Sequence, residues 1–159
     1  MNQHSIPITT YVAGAAQASM HRNLQKICDS ILEPYGISKM QWLIIGCIYD
    51  AGSAGIRTSD LARKLDTTIS YLTTSINLLV SKGILVRTEN DNDFRSRMIS
   101  VTPSFAAKCD EIEQTLRDGL RQTIYATVDP ADFKVYMKVL FQLRDAGYGD
   151  VEPDTGPSK

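Results

Sequence analysis

The sequence predicts a mainly α-helical chain that carries one small β-wing. Three observations predict it. Apolar residues recur at helical spacing through most of the stretch from Thr9 to Gly147. Only Ile84, Val86 and Thr88, and then Ile99 and Val101, alternate with the period of a strand. Cap-forming residues and glycines stand where the helical periods start and stop.

The first helical period runs from about Thr9 to Leu32, with Leu24, Ile27, Cys28, Ile31 and Leu32 as its apolar stripe, and Pro34-Tyr35-Gly36 ends it. Ser38 with Gln41 is a capping box, and Ile37 with Trp42 forms a hydrophobic staple across it. A helix is therefore expected from Lys39 to about Tyr49. Trp42, Leu43, Ile44, Ile45 and Ile48 make it apolar on most sides, which predicts a largely buried helix. Asp50 to Gly55 reads as a loop, after which Ile56 can add one short strand. Thr58 or Ser59 is expected to cap a short helix holding Leu61, Ala62 and Leu65, with Asp60 near its positive end. Asp66-Thr67-Thr68 stops that helix and caps the next. There Ile69, Leu72, Ile76 and Leu79 predict one buried stripe, while Ser70, Tyr71, Thr73, Thr74 and Asn77 fall mostly on other faces. Lys82-Gly83 closes it.

The two alternating runs predict antiparallel strands joined by a long polar hairpin from Glu89 to Arg97. Thr102-Pro103 is a cap followed by proline at the first helical position. Phe105, Cys109, Ile112, Leu116, Thr123 and Ile124 carry that helix to about Thr127. Asp129-Pro130 repeats the device for a last helix, striped by Phe133, Tyr136, Met137 and Leu140 and ending near Gly147. The polar end of the sequence, with its two prolines, is expected to be disordered.

The chain has 159 residues, which suits one domain or one domain with an appended dimer element. The net charge of −1 does not mark a nucleic-acid binder, but its distribution is uneven. Residues 55–102 carry seven bases and five acids, whereas residues 103–159 carry seven bases and ten acids. The mildly basic middle is compatible with DNA. Cys28, Cys47 and Cys109 are odd in number and widely spaced, so neither a disulfide framework nor a zinc site is expected, and a reducing cytoplasm is the simplest setting. No secretory signal or membrane-spanning run is read in the sequence. His4 and His21 are the only histidines, and no catalytic triad, metal-ligand cluster or glycine-rich phosphate loop is visible. The sequence therefore predicts no enzyme, no cofactor and no metal.

Two short helices at a tight turn, followed by a hairpin, form the order of a winged helix-turn-helix. In that module the second helix presents its polar face to the major groove and the wing lies alongside. Tyr35 to Trp42, Ser59 to Leu65, Leu79 to Arg87, Asp91 to Arg95 and Ile99 to Thr102 together resemble the MarR family of bacterial regulators. The Asp93-x-Arg95 wing, followed by a strand and Thr102, is the most specific part, and the resemblance spans about Thr9 to Asp145. It implies a triangular homodimer on a pseudo-palindromic operator, usually as a repressor. Its implied organisation is a dimerisation helix in 1–36, a DNA-binding domain in 37–102, dimerisation helices in 103–147 and a tail in 148–159. Arg95 matches the family's wing arginine, Asp93 the acid that orients it, and Arg97 assists from the same side of the strand. Ser70, Tyr71, Thr73 and Thr74 match the recognition face, with Thr68 at its cap. Arg57, Arg63 and Lys64 are the further candidates for phosphate.

Two features depart from the family pattern at the recognition helix. Thr74 stands where arginine is common, and Ile69 where a polar residue is usual; no charge occurs between Thr67 and Lys82. The resemblance also implies a small phenolic or aromatic effector, for which no residues are assigned. Two other functions fit the same scaffold: a winged helix that works by protein contacts without DNA, and an oxidant sensor built on one of the thiols.

Overall fold

A computed structural model of the chain describes residues 8–90 and 93–146, without the side chains of residues 89–96. The expected polar tail lies outside the described residues. The chain divides into two compact units, residues 1–124 and 125–159.

The first unit opens with α1 (Thr10–Leu32), whose first turn is capped by Thr9. A 3₁₀ turn over Glu33–Tyr35 and Gly36 at φ +68° end it, as a left-handed glycine permits. Helix α2 spans Lys39–Tyr49 and begins with the full capping box. Gln41 N–H donates to Ser38 Oγ at 3.3 Å, and Ser38 N–H donates to Gln41 Oε1 at 3.0 Å. The Asp29 carboxylate adds a tie from α1. It accepts Lys39 N–H at 2.6 Å and Gln25 Nε2 at 2.7 Å. A carboxylate at this end satisfies an orphan amide and meets the positive end of the helix dipole. Trp42, Ile44, Ile45 and Ile48 are buried as expected, but Leu43 is exposed.

Next come β1 (Ile56–Arg57), α3 (Thr58–Lys64), α4 (Ile69–Ser81), β2 (Leu85–Asn90), β3 (Asp93–Val101) and α5 (Pro103–Gln122). The strands form one antiparallel sheet in the order β1-β3-β2. Ile56 faces Ile99 and Leu85 faces Val101. Strand pairing takes up much of the expected long polar hairpin. The ladder continues through Glu89 paired with Arg97 and Asn90 paired with Asp93, with a register shift between the last two pairs. Main-chain pairing is indifferent to the polarity of side chains that face water, so a polar run can still be strand.

Two caps also differ from expectation. Arg57, not Thr58 or Ser59, is the N-cap of α3, and it makes no side-chain cap bond. Thr102 is the N-cap of α5 without a side-chain cap bond; its hydroxyl instead donates to Gly83 O at 2.8 Å. Helix α5 stops at Gln122, short of Thr127, where the Thr123 hydroxyl donates to Gly119 O at 2.6 Å. Such back-bonding offers a helical carbonyl another partner.

The core of this unit draws Leu32 from α1, Ile44, Ile45 and Ile48 from α2, Leu61 from α3, Leu72, Ile76 and Leu79 from α4, Leu85 and Ile99 from the sheet, and Ile112 from α5. Each such side chain stabilises the fold by about 1.5–3 kcal/mol through burial. Helices α1 and α5 approach closely at Gly119, where an added Cβ would sit 2.5 Å from Ile31 Cδ1.

The second unit contains α6 (Pro130–Asp145), capped by Asp129, which accepts Ala131 N–H at 2.8 Å. Tyr125 and Phe133 pack edge to face at 4.7 Å between centroids. None of the residues of α6 is buried, and Val135, Val139, Leu140, Phe141 and Leu143 are exposed.

Candidate nucleic-acid interface

The surface is built on α4. Helix α3 ends at Lys64, and Asp66 takes φ +48°, a left-handed conformation that aspartate tolerates better than most residues. This single residue turns the chain so that Thr68 can cap α4, its Oγ1 accepting Tyr71 N–H at 3.2 Å. Leu72, Ile76 and Leu79 bury the inner face. Ser70, Tyr71, Thr73, Thr74 and Asn77 are all exposed.

Ile69 is a correction to the expected stripe. It is 55% exposed, although its spacing matches Leu72 and Ile76. It is the first residue of α4, where periodicity places it on the inner side but no neighbouring element covers it.

The hydroxyls on this face are not equivalent. Thr73 Oγ1 donates to Ile69 O at 2.8 Å, and Thr74 Oγ1 donates to Ser70 O at 3.3 Å. Each threonine has one proton, so both present lone pairs and a methyl group outward rather than a donor.

Two side-chain bonds fix α4 within the fold. Arg87 Nη2 donates to Asn77 Oδ1 at 2.6 Å and joins β2 to the helix. Lys82 Nζ donates to Gly36 O at 2.7 Å and joins the helix end to the turn before α2. The Arg87–Asn77 link escaped the sequence reading, because a pair ten residues apart carries no local signal.

The cations lie outside α4, on β1, α3 and β3. Arg57 is exposed at the end of β1, opposite Met98 of β3. Arg63 and Lys64 are exposed on the last turn of α3. Arg63 pairs with Asp60, and both are open to water, so the pair is weak and the guanidinium can exchange to another anion. Arg97 is exposed and faces Glu89 across the ladder at the last regular pair. The backbones of Asp93 and Arg95 belong to β3, but their side chains are outside the described residues.

The three thiols are free, with Cys28 and Cys109 buried and Cys47 half-buried. Burial raises all three above the usual thiol value, opposed in part by Lys39 at Cys28 and by Lys64 at Cys47. Cys109 is pushed up to about 11 by burial and by Asp110. A thiol held protonated is a poor nucleophile. A cleft of about 250 Å³ lies among Ile48, Tyr49, Gly52, Ser53, Val101, Pro103 and Ala106. The charge of Asp110, with smaller contributions from burial and a hydrogen bond, raises the Tyr49 phenol. Among the described residues no three His, Cys, Asp or Glu side chains form a metal cluster, and no helix is long and apolar enough to cross a membrane.

A short helix, a tight turn and a second helix with one buried and one polar face, backed by a three-stranded sheet, define a winged helix-turn-helix protein. Residues 37–96 match the family model described as MarR family. This match places the winged helix-turn-helix segment in the MarR family of transcription regulators. The chain is 27% identical over 105 residues to the multiple antibiotic resistance protein MarR of Salmonella typhimurium, covering 66% of this chain and 72% of that protein. It is 29% identical over 84 residues to the HTH-type transcriptional regulator YhbI of Bacillus subtilis, covering 53% of each. Among solved structures, a mutant MarR from E. coli complexed with operator DNA superposes with a TM-score of 0.74 at 24% identity, covering 81% of this chain and 91% of that one. AbsC from Streptomyces coelicolor superposes with a TM-score of 0.76 at 19% identity, covering 90% of this chain and 98% of that one.

Proposed function

We propose that this protein binds duplex DNA as a cytoplasmic homodimer, recognises a pseudo-palindromic operator and represses transcription. The observation that carries the reading is the face of α4: a helix anchored by three buried residues, with five polar side chains turned to water, in a fold whose β1, α3 and β3 carry exposed cations. The polar side chains, with Thr68 at the helix start, meet base edges; Arg57, Arg63, Lys64, Arg95 and Arg97 meet phosphates, and Asp93 orients Arg95. The E. coli MarR mutant was solved with operator DNA and the S. aureus MepR structure is a DNA complex, which supports DNA as the partner.

The homodimer rests on α6. A helix with five exposed large apolar side chains and no buried one needs a cover, and a second copy supplies it. Two-fold symmetry then requires a two-fold related operator. In this reading residues 1–36 and 103–147 serve the dimer and residues 37–102 serve DNA. The effector that releases the operator is a small aromatic molecule in the cleft beside Tyr49, and the negative Asp110 favours a neutral ring there.

A second reading is an interaction module without DNA, favoured by the lack of charge on α4 from Ile69 to Ser81. The raised thiols count against an oxidant sensor. Fluorescence anisotropy on DNA from upstream of the protein's own gene, with a scrambled control and at two salt concentrations, separates the readings. Salt-sensitive binding that prefers the native duplex is expected. No binding to either duplex at low salt would leave the interaction module.

A further inference from the structure

We propose that α4 reads A·T pairs at the centre of each half-site, through thymine methyl groups and the amino group of adenine, and that it disfavours guanine there. This rests on the DNA-binding reading above and adds the chemistry of the bases.

The major-groove edge of guanine offers two acceptors, N7 and O6, and is read best by a side chain with paired donors. Helix α4 contains no arginine, lysine, histidine or glutamine between Ile69 and Ser81. Its one amide, Asn77, already accepts Arg87 Nη2 on Oδ1 at 2.6 Å, which removes the paired contact that asparagine makes with adenine. Ser70 and Tyr71 carry one hydroxyl proton each, which cannot form a bidentate contact.

The remaining groups are acceptors and methyls. Thr73 and Thr74 give their protons to the carbonyls of Ile69 and Ser70. Their lone pairs can accept from the N6 amino group of adenine or the N4 amino group of cytosine. The apolar groups separate these two. Ile69 is 55% exposed because the inner side of α4 is left uncovered at its first residue, and Thr73 stands one helical turn later, so an aliphatic side chain and a threonine methyl are neighbours at that open end of the helix. In the major groove only thymine offers an apolar partner, its C5 methyl. Acceptors beside methyls therefore select A·T.

The test begins with a pool of duplexes carrying two randomised, two-fold related half-sites, selected on the full-length protein at low salt. Half-sites centred on A·T pairs are expected to be enriched. Replacing a central thymine by deoxyuridine removes only the C5 methyl and is expected to weaken binding about fourfold per methyl buried. The variant Thr73→Ser, which lacks the methyl, should reduce that ratio towards one at one position, whereas Thr73→Val should retain it. Circular dichroism of both variants checks the fold. Enrichment of guanine-centred half-sites, or equal affinity for thymine and deoxyuridine duplexes, overturns the inference while leaving DNA binding intact. A pool that is not retained at all overturns DNA binding itself, and this inference with it.

Discussion

Gly55 is the position where the smallest substitution should do the most to this fold. It has φ +70° and ψ −172°, a region that essentially only glycine enters. A Cβ there would stand 2.6 Å from Ile99 O and 3.1 Å from Ile99 C. Those are backbone atoms of the central strand, paired on both sides, and they cannot rotate away. Gly55→Ala therefore incurs two costs. The backbone strain is about 1–3 kcal/mol. The overpacking that pushes β3 from β1 adds about 1–3 kcal/mol. The sum is about 4 kcal/mol, a large share of the 5–15 kcal/mol or so that holds a typical domain. Gly52 supplies the control within the same loop. Its φ is +68°, but nothing lies within 4 Å of its Cβ position, so Gly52→Ala carries only the left-handed cost of about 1–2 kcal/mol. Urea unfolding at one fixed protein concentration measures both, since association would otherwise shift the midpoints. With a slope of about 1–3 kcal/mol per molar, Gly55→Ala should lower the midpoint by more than about 1 M. If Gly55→Ala loses no more stability than Gly52→Ala, the close approach of this loop to β3 is not a determinant of the fold.

Three further outcomes follow from the contacts. Arg87→Ala and Asn77→Ala should each cost about 0.5–1.5 kcal/mol in urea, and the double variant little more than either, because they share one hydrogen bond. Asp29→Ala should cost about 1–3 kcal/mol by stranding the Lys39 amide at the start of α2, with Asp29→Asn intermediate; thermal unfolding reads this as a fall of a few degrees. Cys109 has its thiol raised from 9.0 to about 11, so its folded form holds the proton more tightly than the unfolded chain does. Its contribution is complete below pH 9 and is lost as pH rises towards 11, so stability should decline over that window and Cys109→Ala should flatten the decline in a pH series of urea unfolding.

Much of the helix plan was legible because its signals are local. The capping box of Ser38 and Gln41 acts within four residues, and α2 begins at Lys39 and ends at Tyr49 as that spacing implies. Thr68 caps α4 and Asp129 caps α6 for the same reason. The two faces of α4 were legible too, since Leu72, Ile76 and Leu79 bury one side and leave Ser70, Tyr71, Thr73 and Thr74 exposed on the other. Where local rules misled, a distant partner had intervened. Thr102 resembles a cap, but its hydroxyl finds Gly83, nineteen residues earlier in the chain. Glu89 to Arg97 resembles a loop, but strand pairing extends through much of it.

Periodicity and capping depend on residues three or four apart, so the helices, the caps of α2, α4 and α6, most of the inner stripe of α4 and the likeness to MarR regulators were written along the chain. Tertiary structure decided which ends of those stripes are covered, which is why Ile69 faces water while Leu72 does not. It also decided the order β1-β3-β2, the tie of Asp29 to α2 and the clamp of Arg87 on Asn77. These depend on segments brought together only after the chain folds, and no spacing along the sequence encodes the distance between them.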